Sequence, residues 1–120
     1  MNVFRQVLEK RDKNGATPLL RAVSSSPKDT DGDSESEVVA ALLKVGAKCD
    51  ARWPNSEFTA LHNATETRRP GVLQQLLKNN VSIDLINACD KLPSSGRSPL
   101  HFAAQYGYAE CVEILLSYVN

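Results

Sequence analysis

Two histidines and three cysteines are the residues of this 120-residue chain best suited to chemistry. Local sequence places no serine or cysteine nucleophile with a histidine base at His62 or His101, and there is no glycine-rich phosphate loop. Cys49, Cys89 and Cys111 are odd in number, far apart and without paired spacing, which indicates reduced structural thiols. The sequence therefore predicts a protein that is not an enzyme and that needs no cofactor.

An acidic run is the other group that could do chemistry. Residues 28–37 carry five carboxylates and one lysine, which suggests a calcium loop. Counted from Asp29, however, Gly32 is fourth and Ala40 is twelfth, where an EF-hand needs glycine sixth and glutamate twelfth. We therefore expect no metal site here, only a solvated acidic loop. The alternative is that its serines are phosphorylation sites, namely Ser26, Ser34 and Ser36.

The elements that must position these residues come from a stretch that occurs three times. It covers residues 17–23, 59–65 and 98–104, and each copy opens on a hydroxyl side chain suited to cap a helix. Proline follows in the first and third copies, where a helix start tolerates its missing N–H. After each copy come two apolar pairs at i, i+4 spacing, typical of a buried helix stripe. These pairs are Val38/Val39 with Leu42/Leu43, Val72/Leu73 with Leu76/Leu77, and Cys111/Val112 with Leu115/Leu116.

The three copies resemble the ankyrin repeat, whose signature is Thr-Pro-Leu-His-x-Ala on a period of about 33 residues. The resemblance implies an all-α solenoid of stacked antiparallel helix pairs with projecting β-hairpin loops. Because the copies are spaced by 42 and 39 residues, we expect insertions, namely eight residues between the first pair of helices and extra residues around 90–95. We interpret the chain as one domain, 1–120. Its parts are an N-terminal half repeat at 1–11, which carries Val3, Phe4, Val7 and Leu8, then repeats at 12–50 with the acidic insertion 26–36, at 51–88, and at 89–120, the last one truncated.

Equivalent positions in the repeats give further expectations. His62 and His101 should lie roughly 8 to 10 Å apart on stacked helices, too far to share one metal ion, and the resemblance implies that they orient the hairpins by hydrogen bonds. Gly15 and Gly96 suit a turn that needs freedom in φ, whereas Glu57 replaces glycine in the middle copy. We therefore expect the middle loop to be irregular.

The resemblance also implies that a partner protein binds the concave face formed by hairpin tips and first helices. Trp53 and Tyr106 are of the types most enriched at binding hot spots, although both could instead pack locally. Arg68 and Arg69 replace the family's usual Gly-His pair and, with Arg52, are expected to be solvated surface. The predicted partner-binding residues are Lys13, Asn14, Trp53, Asn55, Phe58, Glu66, Leu92, Arg97, Gln105 and Tyr106.

The charge balance, the apolar runs and the C-terminal residues indicate which kinds of partner to expect. Fourteen basic and fourteen acidic residues balance, so nothing favours nucleic acid or a membrane surface. No apolar run approaches 18 residues and no secretory signal opens the chain, which predicts an intracellular protein of the cytoplasm or nucleus. No polar helix follows Leu116, so Tyr118 and Val119 should be exposed, and further repeats or self-association could cover this face.

We therefore expect a non-catalytic module that binds another protein, in an adaptor, inhibitor or substrate-recruitment role. The first alternative is a scaffolding segment of a larger multidomain protein. The second is a small-ligand sensor that uses Trp53 and nearby arginines to hold a charged aromatic molecule.

Overall fold

The computed structural model describes residues 3–25, 35–79, 81–91 and 96–119. Within these ranges the chain forms eight helices and no strand, which confirms the all-α class. In chain order the helices are α1 (Val3–Leu8), α2 (Pro18–Ser24), α3 (Glu37–Lys44), α4 (Ala60–Glu66), α5 (Pro70–Leu77), α6 (Ile83–Ile86), α7 (Pro99–Tyr106) and α8 (Ala109–Ser117).

The repeated motif starts its helices as the sequence predicts. The hydroxyls of Thr17, Thr59 and Ser98 each accept a hydrogen bond from the amide three residues later. In the second and third copies Nδ1 of the histidine accepts a hydrogen bond from the amide of the capping residue, at 3.1 Å for His62 and 3.0 Å for His101. This is a capping box in which histidine takes the place usually held by Glu or Gln.

The helices pack in two rows. The inner row is α2, α4 and α7, the outer row is α3, α5 and α8, and each inner helix also contacts the outer helix that follows it. The central pair is the most deeply buried part, since Leu61 of α4 and Val72, Leu73 and Leu76 of α5 have no exposed surface. Burial of such side chains supplies roughly 1.5 to 3 kcal/mol each. The apolar pairs predicted for α5 are thus confirmed as core.

The first repeat departs from that prediction. Val38 is 61% exposed and Leu42 and Leu43 are only half-buried, so of the four residues expected in the core of α3 only Val39 is fully buried. The reason is that α1 contacts this repeat just beyond the C-terminal end of α3. There Arg5 donates to the carbonyl of residue 46, and Glu9 accepts from the amide of residue 48. The side of α3 that bears Val38 is left uncovered. In α1 itself Leu8 is buried, whereas Val3, Phe4 and Val7 are exposed.

The three hairpin loops differ in length, but each is closed in the same way. Each is closed by a backbone bond, and the residue before the accepting carbonyl lies in the left-handed region: Gly15 at φ 86°, Glu57 at 59° and Gly96 at 62°. In this respect the middle loop is not irregular as predicted, since Glu57 takes the conformation that glycine has in the other two loops. Arg52 offsets the strain of a non-glycine residue there, because its guanidinium donates to the Glu57 carbonyl and pairs with the Glu57 carboxylate at 3.7 Å. The closing bonds run from the amides of Asp12, Trp53 and Asp90 to the carbonyls of Ala16, Phe58 and Arg97.

The extra residues before the third copy divide between two places. The second hairpin loop opens at residue 53, seven positions after residue 46. The third loop opens at residue 90, ten positions after residue 80, which is the equivalent of residue 46. The loops themselves take five positions (53 to 58) and seven positions (90 to 97). Three of the five extra residues therefore precede the hairpin, in the segment that contains α6, and only two lie where the sequence placed them.

Neighbouring hairpins are joined by arginine side chains. Arg11 donates to the carbonyl of Arg52 at 2.9 Å, and Arg52 donates to the carbonyl of Cys89, also at 2.9 Å. Residues 11, 52 and 89 each immediately precede a loop-closing residue, so the same bond is repeated from one hairpin to the next. The first two tips also touch closely, because a β-carbon at Gly15 would overlap the ring of Pro54.

Arg69, which immediately precedes α5, and Gln75 within α5 hold the two ends of the acidic insertion. At the start, the guanidinium of Arg69 donates to the carbonyls of Val23 at 2.9 Å and Ser25 at 2.7 Å. At the end, the side-chain amide of Gln75 accepts from the Ser36 amide at 3.0 Å and donates to its carbonyl at 2.9 Å. Arg69 is only 6% exposed, so its assignment to solvated surface is wrong: it satisfies carbonyls left open at the end of α2. The acidic residues 29–33 and the serines 26 and 34 lie outside the described residues.

The C-terminal end is partly closed. Leu116 is 49% exposed, as expected for an open face, but Tyr118 and Val119 are half-buried against the core. The prediction that these two would be exposed is wrong, because they continue the last turn of α8 through backbone bonds to residues 115 and 116 and pack against the core. Cys49 and Cys111 are buried and Cys89 is exposed, all three as free thiols. Burial raises the pKa of the Cys49 and Cys111 thiols, which keeps them protonated and poorly nucleophilic.

Candidate partner-binding face

The predicted binding residues fall on the inner row and its hairpins but do not form one continuous group. Lys13, Asn14 and Asn55 are exposed at hairpin tips. Glu66 is exposed at the end of α4; nearby protein atoms nevertheless displace part of the water around its carboxylate, which raises its pKa. Leu92 lies outside the described residues.

Trp53 is held by the protein's own side chains. It is half-buried, its indole N–H donates to Oδ1 of Asn63 at 3.0 Å, and the guanidinium carbon of Arg21 lies 5.3 Å from its ring centre. Arg21 in turn forms two bonds to the Asp12 carboxylate, at 2.7 and 3.2 Å. The amide of Ala16 and the guanidinium of Arg21 both bind that carboxylate and hold its pKa below the usual value. These contacts favour the local-packing interpretation of Trp53.

An aromatic row forms beside the second and third hairpins. Phe58 stacks on the His62 ring at 4.9 Å and meets Phe102 edge-on at 5.4 Å. From Phe102 the row continues to Tyr106 at 6.1 Å and from there to Tyr108 at 5.5 Å. Pairs at these distances attract one another beyond their area of burial. Of the row, Tyr106 is the most open, at 43% exposed.

Two arginines flank this row. Arg97 lies 6.0 Å from the centre of Phe102 and donates to the side-chain oxygen of Gln105. At the other end Arg68 lies 5.3 Å from the centre of Tyr108. The structure therefore brings together four of the predicted residues, which are Phe58, Arg97, Gln105 and Tyr106.

Sequence reasoning missed some members of this face. Phe102 occupies the variable position of the motif, between His101 and Ala103, and nothing in a single sequence shows that such a residue will meet the loop of the preceding repeat. Tyr108 and Arg68 were detectable only as bulky or charged residues between paired helices. Arg21 could have been found from its place on the first helix of a repeat.

His62 has a structural role at the centre of the face. The residue is fully buried, its Nδ1 accepts from the Thr59 amide, and its Nε2–H donates to the carbonyl of Arg97 at 2.8 Å. Burial lowers its pKa, opposed by the Arg97 carbonyl and the charge of Asp90 and assisted by the charge of Arg52. Both ring nitrogens are thus used, which confirms that this histidine orients the next hairpin. In the described ranges no three His, Cys, Asp or Glu side chains are grouped so that they could hold a metal ion.

Stacked helix pairs, hairpins joined edge to edge and a long inner face define a helical repeat solenoid. The family model for ankyrin repeats (3 copies) matches residues 33–120, and the chain therefore belongs to the ankyrin-repeat family. Ankyrin repeats are generally protein–protein interaction modules, and the family is typically non-catalytic. A comparison with curated proteins gave no match. None of the helices described here is long and apolar enough to cross a membrane.

Proposed function

We propose that this protein binds a partner protein through its inner face, in an adaptor, inhibitor or substrate-recruitment role and without catalysis. The observation that carries the proposal is Tyr106, which lies on α7 between two aromatic neighbours yet remains 43% exposed. Amphipathic aromatics with little remaining freedom are the residues that contribute most to protein–protein binding, because they lose little entropy on association. Gln105 and Arg97 supply polar groups beside it.

The contacts of Trp53 change its place in the proposal. Since its N–H and ring face are engaged by Asn63 and Arg21, we assign it to support of the face more than to direct contact. The same contacts argue against a small-ligand sensor at this position, because the arginine that would pair with a ligand is bound by Asp12. Three free thiols fit a reducing compartment, so we propose an intracellular location in the cytoplasm or nucleus.

Affinity capture from a cell lysate tests the proposal. The bait is the whole chain, compared with a Tyr106→Ala, Gln105→Ala variant and with a Val38→Ala, Lys44→Ala control on the outer helix α3. All four residues are exposed, so all three baits should fold and have the same circular dichroism. We expect a protein that wild type and control retain and the inner-face variant loses. Equal retention by all three would contradict binding at the inner face.

The scaffolding alternative is favoured by one observation at the C-terminal end. A cleft between α6 and α8 has an apolar lining that includes the half-exposed Leu116 and Ile83. In this alternative another chain or further repeats cover the cleft. A Leu116→Lys bait separates the two proposals, because it should keep an inner-face partner and lose one bound at the end of the solenoid.

A further inference from the structure

Two arginines on the inner face differ from the other arginines of the chain in what they contact. No carboxylate of the described residues lies within 4 Å of the guanidinium of Arg68 or Arg97, and neither arginine donates to a main-chain carbonyl of those residues. Their main neighbours are the rings of Tyr108 and Phe102. The remaining arginines are engaged: Arg5, Arg21 and Arg52 pair with carboxylates, and Arg11 and Arg69 donate to main-chain carbonyls.

Stacking on a ring prepares a guanidinium to bind an anion. The ring covers one face of the planar group and limits its rotation, while the N–H groups at its edge still point outward. A carboxylate is the group that such an edge recognises with two parallel hydrogen bonds. Arg68 is exposed and Arg97 is half-exposed, so both guanidinium groups can be reached from solvent; one N–H group of Arg97 already donates to Gln105, and its other N–H groups are the ones left for a carboxylate.

The aromatic row sets the shape of what could bind. Four steps of 5.3 to 6.1 Å lead from Arg97 through Phe102, Tyr106 and Tyr108 to Arg68. The two guanidinium carbons are therefore at most about 23 Å apart, so a segment of at most about seven residues of extended chain reaches from one to the other. Between them Tyr106 offers a half-exposed ring to an apolar side chain.

We propose that the partner presents an extended, acidic segment to this face, with carboxylates that pair with Arg97 and Arg68 and an apolar side chain between them that packs on Tyr106. This inference rests on the proposed function and names the chemistry of the partner. Glu66, which ends α4 on the same row of helices, is one carboxylate that would oppose such a segment.

Selection from a random library of 12-residue peptides, with the whole chain as bait, tests the charge preference. We expect the selected peptides to be rich in Asp and Glu around an apolar or aromatic residue. One selected peptide is then synthesised with a fluorescein label, together with a copy in which Gln replaces each Glu and Asn each Asp. The neutral copy should bind more weakly, and binding of the acidic one should weaken as salt rises.

Variants locate the binding. Arg68→Gly suits the positive φ of 53° at that position, and Arg97→Gln keeps a polar side chain near Gln105. The double variant should weaken binding about tenfold, as expected for two partly exposed ion pairs. Lys44→Gln with Lys78→Gln removes the same charge from the outer row, at the end of α3 and immediately after α5, and should leave affinity within about twofold. Glu66→Gln should strengthen binding.

The outcomes separate this inference from the proposed function. Peptides without acidic bias whose binding depends on Tyr106 would overturn the inference and leave the proposed function intact. Acidic peptides that bind the two double variants equally would also overturn it, as would the selection of no peptide. A single-stranded 12-nucleotide oligonucleotide that binds more tightly than the peptide, and with the same loss in the Arg68→Gly, Arg97→Gln variant, would assign the two arginines to nucleic acid instead.

Discussion

Replacement of Arg69 by methionine should destabilise the protein by about 3 kcal/mol. Methionine keeps the apolar stem, so the loss is that of the guanidinium and its bonds to the carbonyls of Val23 and Ser25, at 2.9 and 2.7 Å. A hydrogen bond to a charged group contributes about 1.5 to 3 kcal/mol. We use the lower value for each of these two hydrogen bonds, for two reasons. Burial of the guanidinium itself is costly, as the lowered pKa of Arg69 indicates. In the variant, the exposed carbonyl of Ser25 can bind water again.

Urea unfolding followed by circular dichroism at 222 nm measures this free energy. For a domain of this size about 3 kcal/mol corresponds to a midpoint shift of roughly 1.5 M. The adjacent Arg68→Gly variant is the matched control: it removes an arginine from an exposed position with φ 53° and should change stability by less than about 1 kcal/mol. If Arg69→Met and Arg68→Gly have the same midpoint, the account of Arg69 as an internal cap of α2 is refuted.

Three other changes test the core, the hairpins and the buried histidine. Leu76→Ala should cost about 2 to 5 kcal/mol by leaving a cavity, whereas Leu116→Ala, at a half-exposed position, should cost below about 1 kcal/mol. Gly15→Ala should be more destabilising than Gly107→Ala, because both have positive φ but only a β-carbon at position 15 meets a neighbour. Because burial lowers the pKa of His62, the unfolded chain takes up a proton near pH 6.5 before the folded chain does. Stability should therefore fall as the pH drops below about 6.5, and His62→Gln should remove part of that fall.

The same urea titrations check all three. Equal midpoints for the two leucine variants would contradict the assignment of α5 to the core. Equal losses for the two glycine variants would mean that the hairpin tips separate easily in solution. For the histidine, the free energies of unfolding of wild type and His62→Gln are compared at pH 7.5 and at pH 5.5. If the difference between the two proteins is the same at both pH values, His62 does not titrate as described.

The sequence predicts those parts of the fold that depend on residues close together in the chain. Thr59 and His62 are three positions apart, so their capping box follows from the motif alone. Arg69 binds residues more than 40 positions earlier, and whether an arginine points to solvent or to such a carbonyl depends on which helix lies beside it. At Glu57 the local sequence points the wrong way. A glutamate disfavours the left-handed conformation, but the surrounding hairpin and the contact with Arg52 hold Glu57 in it.

The sequence predicts which positions lie on the candidate face, but not which side chains contact one another there. Positions such as Gln105 and Tyr106 follow from the repeat register, because equivalent residues of stacked repeats share one face. The pairing of Arg21 with Trp53 and of Arg68 with Tyr108 depends on contacts between repeats, which a single sequence does not specify. Those contacts decide which aromatic and cationic groups remain available to a partner.

The contacts of Arg69 and Gln75 at the two ends of the acidic insertion make this segment a suitable place to insert foreign sequence. Because Arg69 binds the chain at Ser25 and Gln75 binds it again at Ser36, we expect the packing of α2 and α3 to depend little on the length of what connects them. Doubling the length of a flexible connection costs only about 0.6 kcal/mol in closure entropy. An epitope or a small folded domain placed between these two serines would therefore be displayed from the first repeat while the inner face keeps its shape, and a partner and a cargo could be carried on one small molecule.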